Sequence, residues 1–263
     1  MAHTACLVFA CVLASAASAQ EPSSPGLLTD SPSTAQTAAP EPVISPKQFV
    51  SNILHDQKPI WTFPGKVVKG KHWKPVLVVM LGTAGLVVAD PHTEPYFHNP
   101  SRFGSYKTGP LRGRNSTLAV TLTPVAFYLA GLAKHNSYTR NTGLLVAEGL
   151  VDTQLVSFVM KNAIGRLTPS DIPYNGNLRD TWFKYRGSVT NRGGFPSGHT
   201  ASAFAVATVI SSRYREHRWI PWVAYGTATF LALTRLPDQA HFPSDIFMGA
   251  AIGYGIGRFV VLR

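Results

Sequence analysis

Residues 196–262 read PSGHTASAFAVATVISSRYREHRWIPWVAYGTATFLALTRLPDQAHFPSDIFMGAAIGYGIGRFVVL. Three apolar segments stand in this stretch, approximately 199–213, 218–234 and 244–262, separated by polar or basic turns. Each is long enough for a helix, alanine and leucine are common, and the alternation of a half-buried strand is absent. Gly249, Gly253 and Gly257 recur every fourth residue, so they fall on one helix face and let a neighbouring helix approach closely. Asp245 shares that spacing, which carries the close-packed face up to a titratable residue. Toward the N-terminus the same pattern recurs near 75–90, 117–134 and 143–161. The reading is all-α, with six apolar helices. The stretches 91–115 and 168–196, rich in Gly, Pro, Asn and charge, read as long loops, which are usually functional or disordered.

The flanking sequence sets the organisation. Residues 1–19 end in Ala17-Ser18-Ala19 after a short apolar run, the pattern of a signal peptide cleaved on export, although no Lys or Arg precedes the run. Both cysteines, Cys6 and Cys11, lie inside it, so a mature chain would carry no disulfide. Residues 20–46 are rich in Pro, Ser, Thr and Ala without apolar period and read as a disordered linker. A basic and aromatic segment, 47–74, precedes a domain over 75–263. Of the 263 residues, 45% are apolar and only 14% charged, which suits helices buried in a bundle or in lipid. The net charge of +11 suits anionic partners. The basic residues are scattered between apolar segments and not gathered into a nucleic-acid-binding motif, so nucleic acid is not an expected partner.

Three short motifs follow one another. Lys161 and Arg166 stand at a helix end marked by Gly165, in KNAIGRLTP. Pro196-Ser197-Gly198-His199 reads as a loop entering a helix, with Ser197 as cap and free N–H groups that favour an anion. Thr234-Arg235 leads to His241 and Asp245, four residues apart and therefore within reach on one face. A carboxylate that holds one imidazole nitrogen fixes the tautomer and leaves the other nitrogen nucleophilic. Each motif alone has an ordinary structural explanation: a solvated helix end, a cap, or a bracing ion pair.

Taken in order, the three motifs resemble those of the phosphatidic acid phosphatase type 2 and vanadium haloperoxidase superfamily over roughly 75–263. The family pattern is Lys, six residues, Arg-Pro; then Pro-Ser-Gly-His; then Ser-Arg, five residues, His, three residues, Asp. Here Thr234 replaces the serine, and Thr168 occupies the place of the arginine before Pro169, with Arg166 two residues earlier. The resemblance implies a six-helix bundle of the acid phosphatase and haloperoxidase type. It implies a phosphatase in which His241 attacks phosphorus, Asp245 orients it, and His199 protonates the leaving group. Lys161, Arg166, Arg235, Ser197 and Gly198 would bind the phosphate oxygens. No metal or other cofactor is called for, and His92 and His98 lack ligand spacing and read as surface residues.

The loss of one two-pronged donor at Thr168 argues against tight vanadate binding and haloperoxidase chemistry. The expected substrate is a phosphate monoester or diphosphate, of a lipid in the favoured reading. A soluble periplasmic acid phosphatase of broad specificity and a non-catalytic phosphate- or lipid-binding bundle are the alternatives. The apolar helices favour membrane association in the cell envelope. A cleaved signal followed by six spans would, however, turn the motifs to the cytoplasm, opposite to membrane-embedded relatives. Several segments are also shorter than the roughly 20 residues that span a bilayer, and 143–161 carries Glu148 and Asp152.

Overall fold

A computed structural model of the protein describes residues 41–97, 113–173, 176–184 and 193–262. The signal-like stretch, most of the linker and His98 lie outside the described residues. Among those described the chain is helical, without strands. The α-helices are α1 (Pro46–Val68), α2 (Trp73–Phe97), α3 (Gly113–Ala133), α4 (Ser137–Ile164), α5 (Gly198–Arg213), α6 (Ile220–Leu233) and α7 (Pro243–Ile256). A 3₁₀ turn, Pro169–Asp171, lies between α4 and α5, and α7 runs on as a π-helical turn, Gly257–Val261.

The six apolar segments correspond to α2 through α7. Two readings change. The segment 47–74 contributes a helix of its own, started by Ser45, whose side chain accepts from the Gln48 N–H while Gln48 bonds back. The stretch from residue 91 expected as loop is helical as far as Phe97, because α2 continues through Pro91 and Pro95. The continuation keeps Asp90 and Glu94, one turn apart, on a single buried face directed at α7.

The helix that carries the second motif is the centre of the bundle. α5 packs against α3, α4, α6 and α7, and its alanines at 201, 203, 205 and 207 are all buried. Around it Val146, Val206, Val209, Ile210, Ile220 and Val261 form the apolar core. α7 approaches α5 more closely than side chains would allow. A Cβ on Gly249 would stand 2.5 Å from the Ser197 carbonyl oxygen, and one on Gly253 would stand 2.1 Å from that of Ala201. The glycine stripe therefore fixes how far His199, on α5, sits from the start of α7.

α2, α3 and α4 are long and apolar enough to cross a membrane, and α2 and α3 leave Val78, Leu81, Val88, Leu122 and Leu129 on the outside of the bundle. Exposed apolar surface on this scale points to association with a membrane.

The contact at Gly253 gives a test of this packing. Gly253→Ala forces α7 away from α5 and lowers stability by about 1–3 kcal/mol, the range for overpacking a tight interface. Gly255→Ala, whose added methyl would meet nothing within 4 Å, leaves the thermal midpoint unchanged or slightly raised. Thermal unfolding of the two variants in one detergent separates them.

Candidate active site

The site lies at one end of α5. Ser197 caps the helix, its oxygen accepting from the Thr200 N–H, and Gly198 and His199 follow in the first turn. α4 ends beside it at Gly165, which takes the left-handed conformation (φ 58°) and returns its N–H to the Lys161 carbonyl. Lys161 thus occupies the last turn. α7 starts at Pro243, and in its first turn the Asp245 carboxylate accepts from the Phe242 N–H at 2.8 Å. His241 stands just before that start.

These elements bring the two histidines close together. Their ring centroids are 6.4 Å apart with planes inclined at 58°. His241 is buried, and its Nδ1 lies 3.7 Å from Asp245 Oδ2. That is an electrostatic contact, too long for a hydrogen bond, and contacts of this kind tighten when a catalytic site is occupied. His199 instead projects into a cavity of about 710 Å³ that opens between α3, α4, α5 and α6. Val120, Val151, Leu155, Phe158 and Leu231 supply apolar wall, and Lys161, Gly198 and His199 supply polar wall.

Both rings are held neutral. His199 retains solvent exposure, yet its pKa is pushed down to about 3, first by the protein packed around it and then by the charges of His241, Arg235 and Lys161. The His241 value is also lowered, by burial first, with Asp245 opposing the shift. Arg235 is buried, bonded to Thr234 Oγ1 and paired with Asp238 at 3.1 Å. Asp238 in turn accepts the Gly113 N–H at 2.9 Å, and a Cβ on Gly113 would lie 2.1 Å from Arg235 Nη1. The first residue of α3 must therefore lack a side chain for Arg235 to reach this position.

Lys161, His199, Arg235, His241 and Asp245 are brought together, with Gly198 at a helix start whose N–H groups have no intrahelical acceptor. Two expected phosphate ligands are engaged elsewhere. Arg166 is 1% exposed, and each of its three guanidinium nitrogens donates to protein. Nη1 reaches Asp245 Oδ1 and Ser244 Oγ, both at 2.6 Å, Nη2 reaches Asp90 Oδ2 at 2.6 Å, and Nε reaches Thr181 Oγ1 at 3.3 Å. The rings of Trp182 and Phe242 lie 4.3 and 4.1 Å from its central carbon. Carboxylates outcompete a surface role for a guanidinium so enclosed, and Arg166 becomes a buried brace. Ser197 likewise gives its N–H to the Asp245 carbonyl at 3.0 Å and its hydroxyl oxygen to the cap. Thr168 caps the 3₁₀ turn through Asp171 and does not replace the missing arginine. His92 is exposed, as expected of a surface residue.

Sequence reasoning passed over Asp90, Glu94, Trp182 and Phe242. Neither Glu94 oxygen has a hydrogen-bond partner among the described residues, although the side chain is fully buried one turn from Asp90. The available signal was two carboxylates four residues apart in an otherwise apolar helix, where ionisable groups are costly and usually functional.

Comparison with known proteins gives a family match over the C-terminal part of the chain. Residues 142–263 match the PAP2 superfamily. A lipid A 1-phosphatase of Porphyromonas gingivalis is 36% identical over 76 residues, covering 28% of this chain and 17% of the relative. A lipid A 4'-phosphatase of the same organism is 30% identical over 118 residues, 45% of this chain and 48% of the relative. A lipid A 1-phosphatase of Rhizobium etli is 30% identical over 119 residues, 44% of this chain and 47% of the relative. No solved structure matches significantly. The chain carries a PAP2 superfamily domain over residues 142–263. The matches span half or less of these relatives' own length.

Two outcomes follow from the geometry. Arg166→Ala strands two buried carboxylates and destabilises the fold by about 3–5 kcal/mol, whereas a mere phosphate ligand would leave the unfolding midpoint unchanged. For the histidines, folded-state values lie below the ordinary 6.5, so the unfolded chain binds more protons on acidification. Their contribution is complete above pH 6.5 and is lost as pH falls toward the folded values, about 3 for His199. The histidines' share of the thermal midpoint therefore falls between about pH 6.5 and 5, and His199→Gln, compared with wild type, removes its part of that slope. Inorganic phosphate flattens it as well, because its charge raises the folded-state value.

Proposed function

We propose that the protein is a metal-independent phosphatase that removes phosphate from a lipid through a phosphohistidine on His241. The observation that carries this reading is the pair of neighbouring imidazoles, 6.4 Å apart, with a cation-flanked, largely apolar cavity beside them. In the first step the bare nitrogen of His241 attacks phosphorus, and the bond from phosphorus to the lipid oxygen breaks. His199, protonated once the phosphate is bound, gives its proton to that oxygen. Water then attacks the phosphohistidine while His199 takes a proton back, and inorganic phosphate leaves. Lys161, Arg235 and the N–H groups at the start of α5 stabilise the charge that builds on the phosphoryl oxygens.

The neutral state of His199 fits this sequence. A neutral ring cannot act as a general acid, but a phosphate bearing nearly two negative charges between Lys161, Arg235 and the ring favours its protonation. Substrate binding thereby sets the protonation state that the first step needs. Activity then rises on the acid side as the substrate and His199 together reach the protonated complex, and declines once that proton is lost.

The lipid is proposed from two features. Val120, Val151, Leu155, Phe158 and Leu231 offer an acyl chain a continuous apolar path to His199. The relatives named above are lipid A 1- and 4'-phosphatases, which makes the phosphate of a lipid A-type glycolipid the first candidate. The signal-like residues 1–19 support a location in the cell envelope.

Phosphate release in mixed micelles tests the proposal with lipid A, phosphatidate, a prenyl diphosphate and a soluble aryl phosphate. Lipid substrates turn over faster than the soluble ester, and His241→Ala reduces kcat on all of them by on the order of 10³-fold or more. Equal release by wild type and the alanine variant would leave a binding bundle without catalysis. Preference for the soluble ester would favour a broad-specificity acid phosphatase.

A further inference from the structure

The buried cluster behind His241 contains one cation and more than one carboxylate, and its bonding is unequal. Arg166 bridges Asp90 and Asp245 at 2.6 Å each. Asp90 is fully buried and is fixed a second time from α7, accepting from the Ser244 N–H at 3.2 Å and from the Ser244 hydroxyl. Glu94 lies on the same helix face and is equally buried, yet it makes no hydrogen bond to Arg166. The guanidinium packs against the rings of Trp182 and Phe242 and is bonded at every nitrogen, so it cannot turn to choose one carboxylate over the other.

Charge accounting then assigns Asp90 a role. Were Arg166 bonded to Asp245 alone, the pair would be neutral, and His241 would face a carboxylate whose charge is already balanced. With Asp90 on the opposite edge, Arg166 is balanced from the far side, and the Asp245 charge is left directed at the imidazole. We infer that Asp90 is a positioning residue for phosphoryl transfer, acting through Arg166 and Asp245 on His241. Asp90 lies on α2, outside the residues that match the family. The inference rests on the phosphatase reading for its consequence in catalysis, but not for its consequence in the titration of His241.

The groups that face His241 enter the test together. They are Asp245 from α7, Lys161 from α4, His199 from α5 and Arg235 from the segment after α6. Behind Asp245 stand Arg166, Asp90 and Glu94. Asp90→Asn preserves shape and removes one negative charge from this set, leaving Arg166 to neutralise Asp245. The protonated form of His241 then loses support.

The experiment is NMR titration of the His241 ring in the full-length protein in detergent, without substrate, alongside kinetics. In Asp90→Asn the His241 midpoint falls by about one pH unit relative to wild type, while Asp90→Glu, which keeps the charge, stays near wild type. In kinetics, kcat of Asp90→Asn falls roughly 10- to 100-fold, the range typical of outer-shell partners, with KM nearly unchanged, and Asp90→Glu recovers most of it. An unmoved His241 midpoint in Asp90→Asn, or equal shifts in both variants, overturns the inference and leaves Asp90 a packing residue. If Asp90→Asn does not fold, the double variant Asp90→Asn/Arg166→Gln removes one charge of each sign and is titrated instead. Its midpoint stays at or above wild type if charge is what counts, and a fall overturns the inference. Failure of the phosphatase reading would show differently, as absent turnover in wild type with the titration shift intact.

Discussion

The guanidinium of Arg166 ties together parts of the chain that share no local reason to meet. It lies in the segment after α4, its carboxylate partners are on α2 and α7, and two aromatic rings pack against it. A buried ion cluster is weak support for stability in itself, since removing charges from water offsets much of their attraction. Its effect here is to leave α7 only one starting position. Asp245 at once caps that helix, accepts from Arg166 and faces His241, while its backbone carbonyl receives the Ser197 N–H at the start of α5. The two helices that carry the histidines are registered to each other through one residue, and the Gly249 and Gly253 contacts set their distance.

The electrostatics of the site follow from this arrangement. Cations are brought toward two imidazoles in a region packed with protein, which favours neutral rings. The same cations favour a phosphate, whose arrival reverses the balance at His199 but leaves His241 backed by Asp245. The two histidines thus acquire different protonation states from one ligand, as an acid and a nucleophile must. Beside them, apolar side chains of α3, α4 and α6 line the cavity with no need to touch the reacting group.

Much of this was legible in the sequence because it depends on short-range pattern. Six helices could be placed from apolar segments, Gly165 marked the end of α4, the glycine spacing announced a close helix contact along α7, and the three motifs named most of the residues that converge. What escaped depends on long-range choice. Arg166 looked like a phosphate ligand because cations beside such motifs usually are, and only the fold shows carboxylates 76 and 79 residues away claiming it. Ser197 looked free because a cap residue's own N–H often is, until the Asp245 carbonyl takes it. The first helix was hidden by its lysines and prolines, since its stability comes from a capping box and from packing against α4, not from a long apolar face. Asp90 closes the apolar segment 75–90, and the prolines that follow suggest a loop from residue 91, yet neither breaks the helix.

A structure of the protein at saturating orthovanadate, which offsets the donor lost at Thr168, determined at a pH near neutrality, addresses the central claim most directly. The account predicts vanadium bonded to a ring nitrogen of His241, with His199 on the opposite side of the oxyanion and Lys161 and Arg235 against its oxygens, while Arg166 remains bound to Asp90 and Asp245. Vanadate held elsewhere, or held by Arg166 with the imidazoles turned apart, would contradict it.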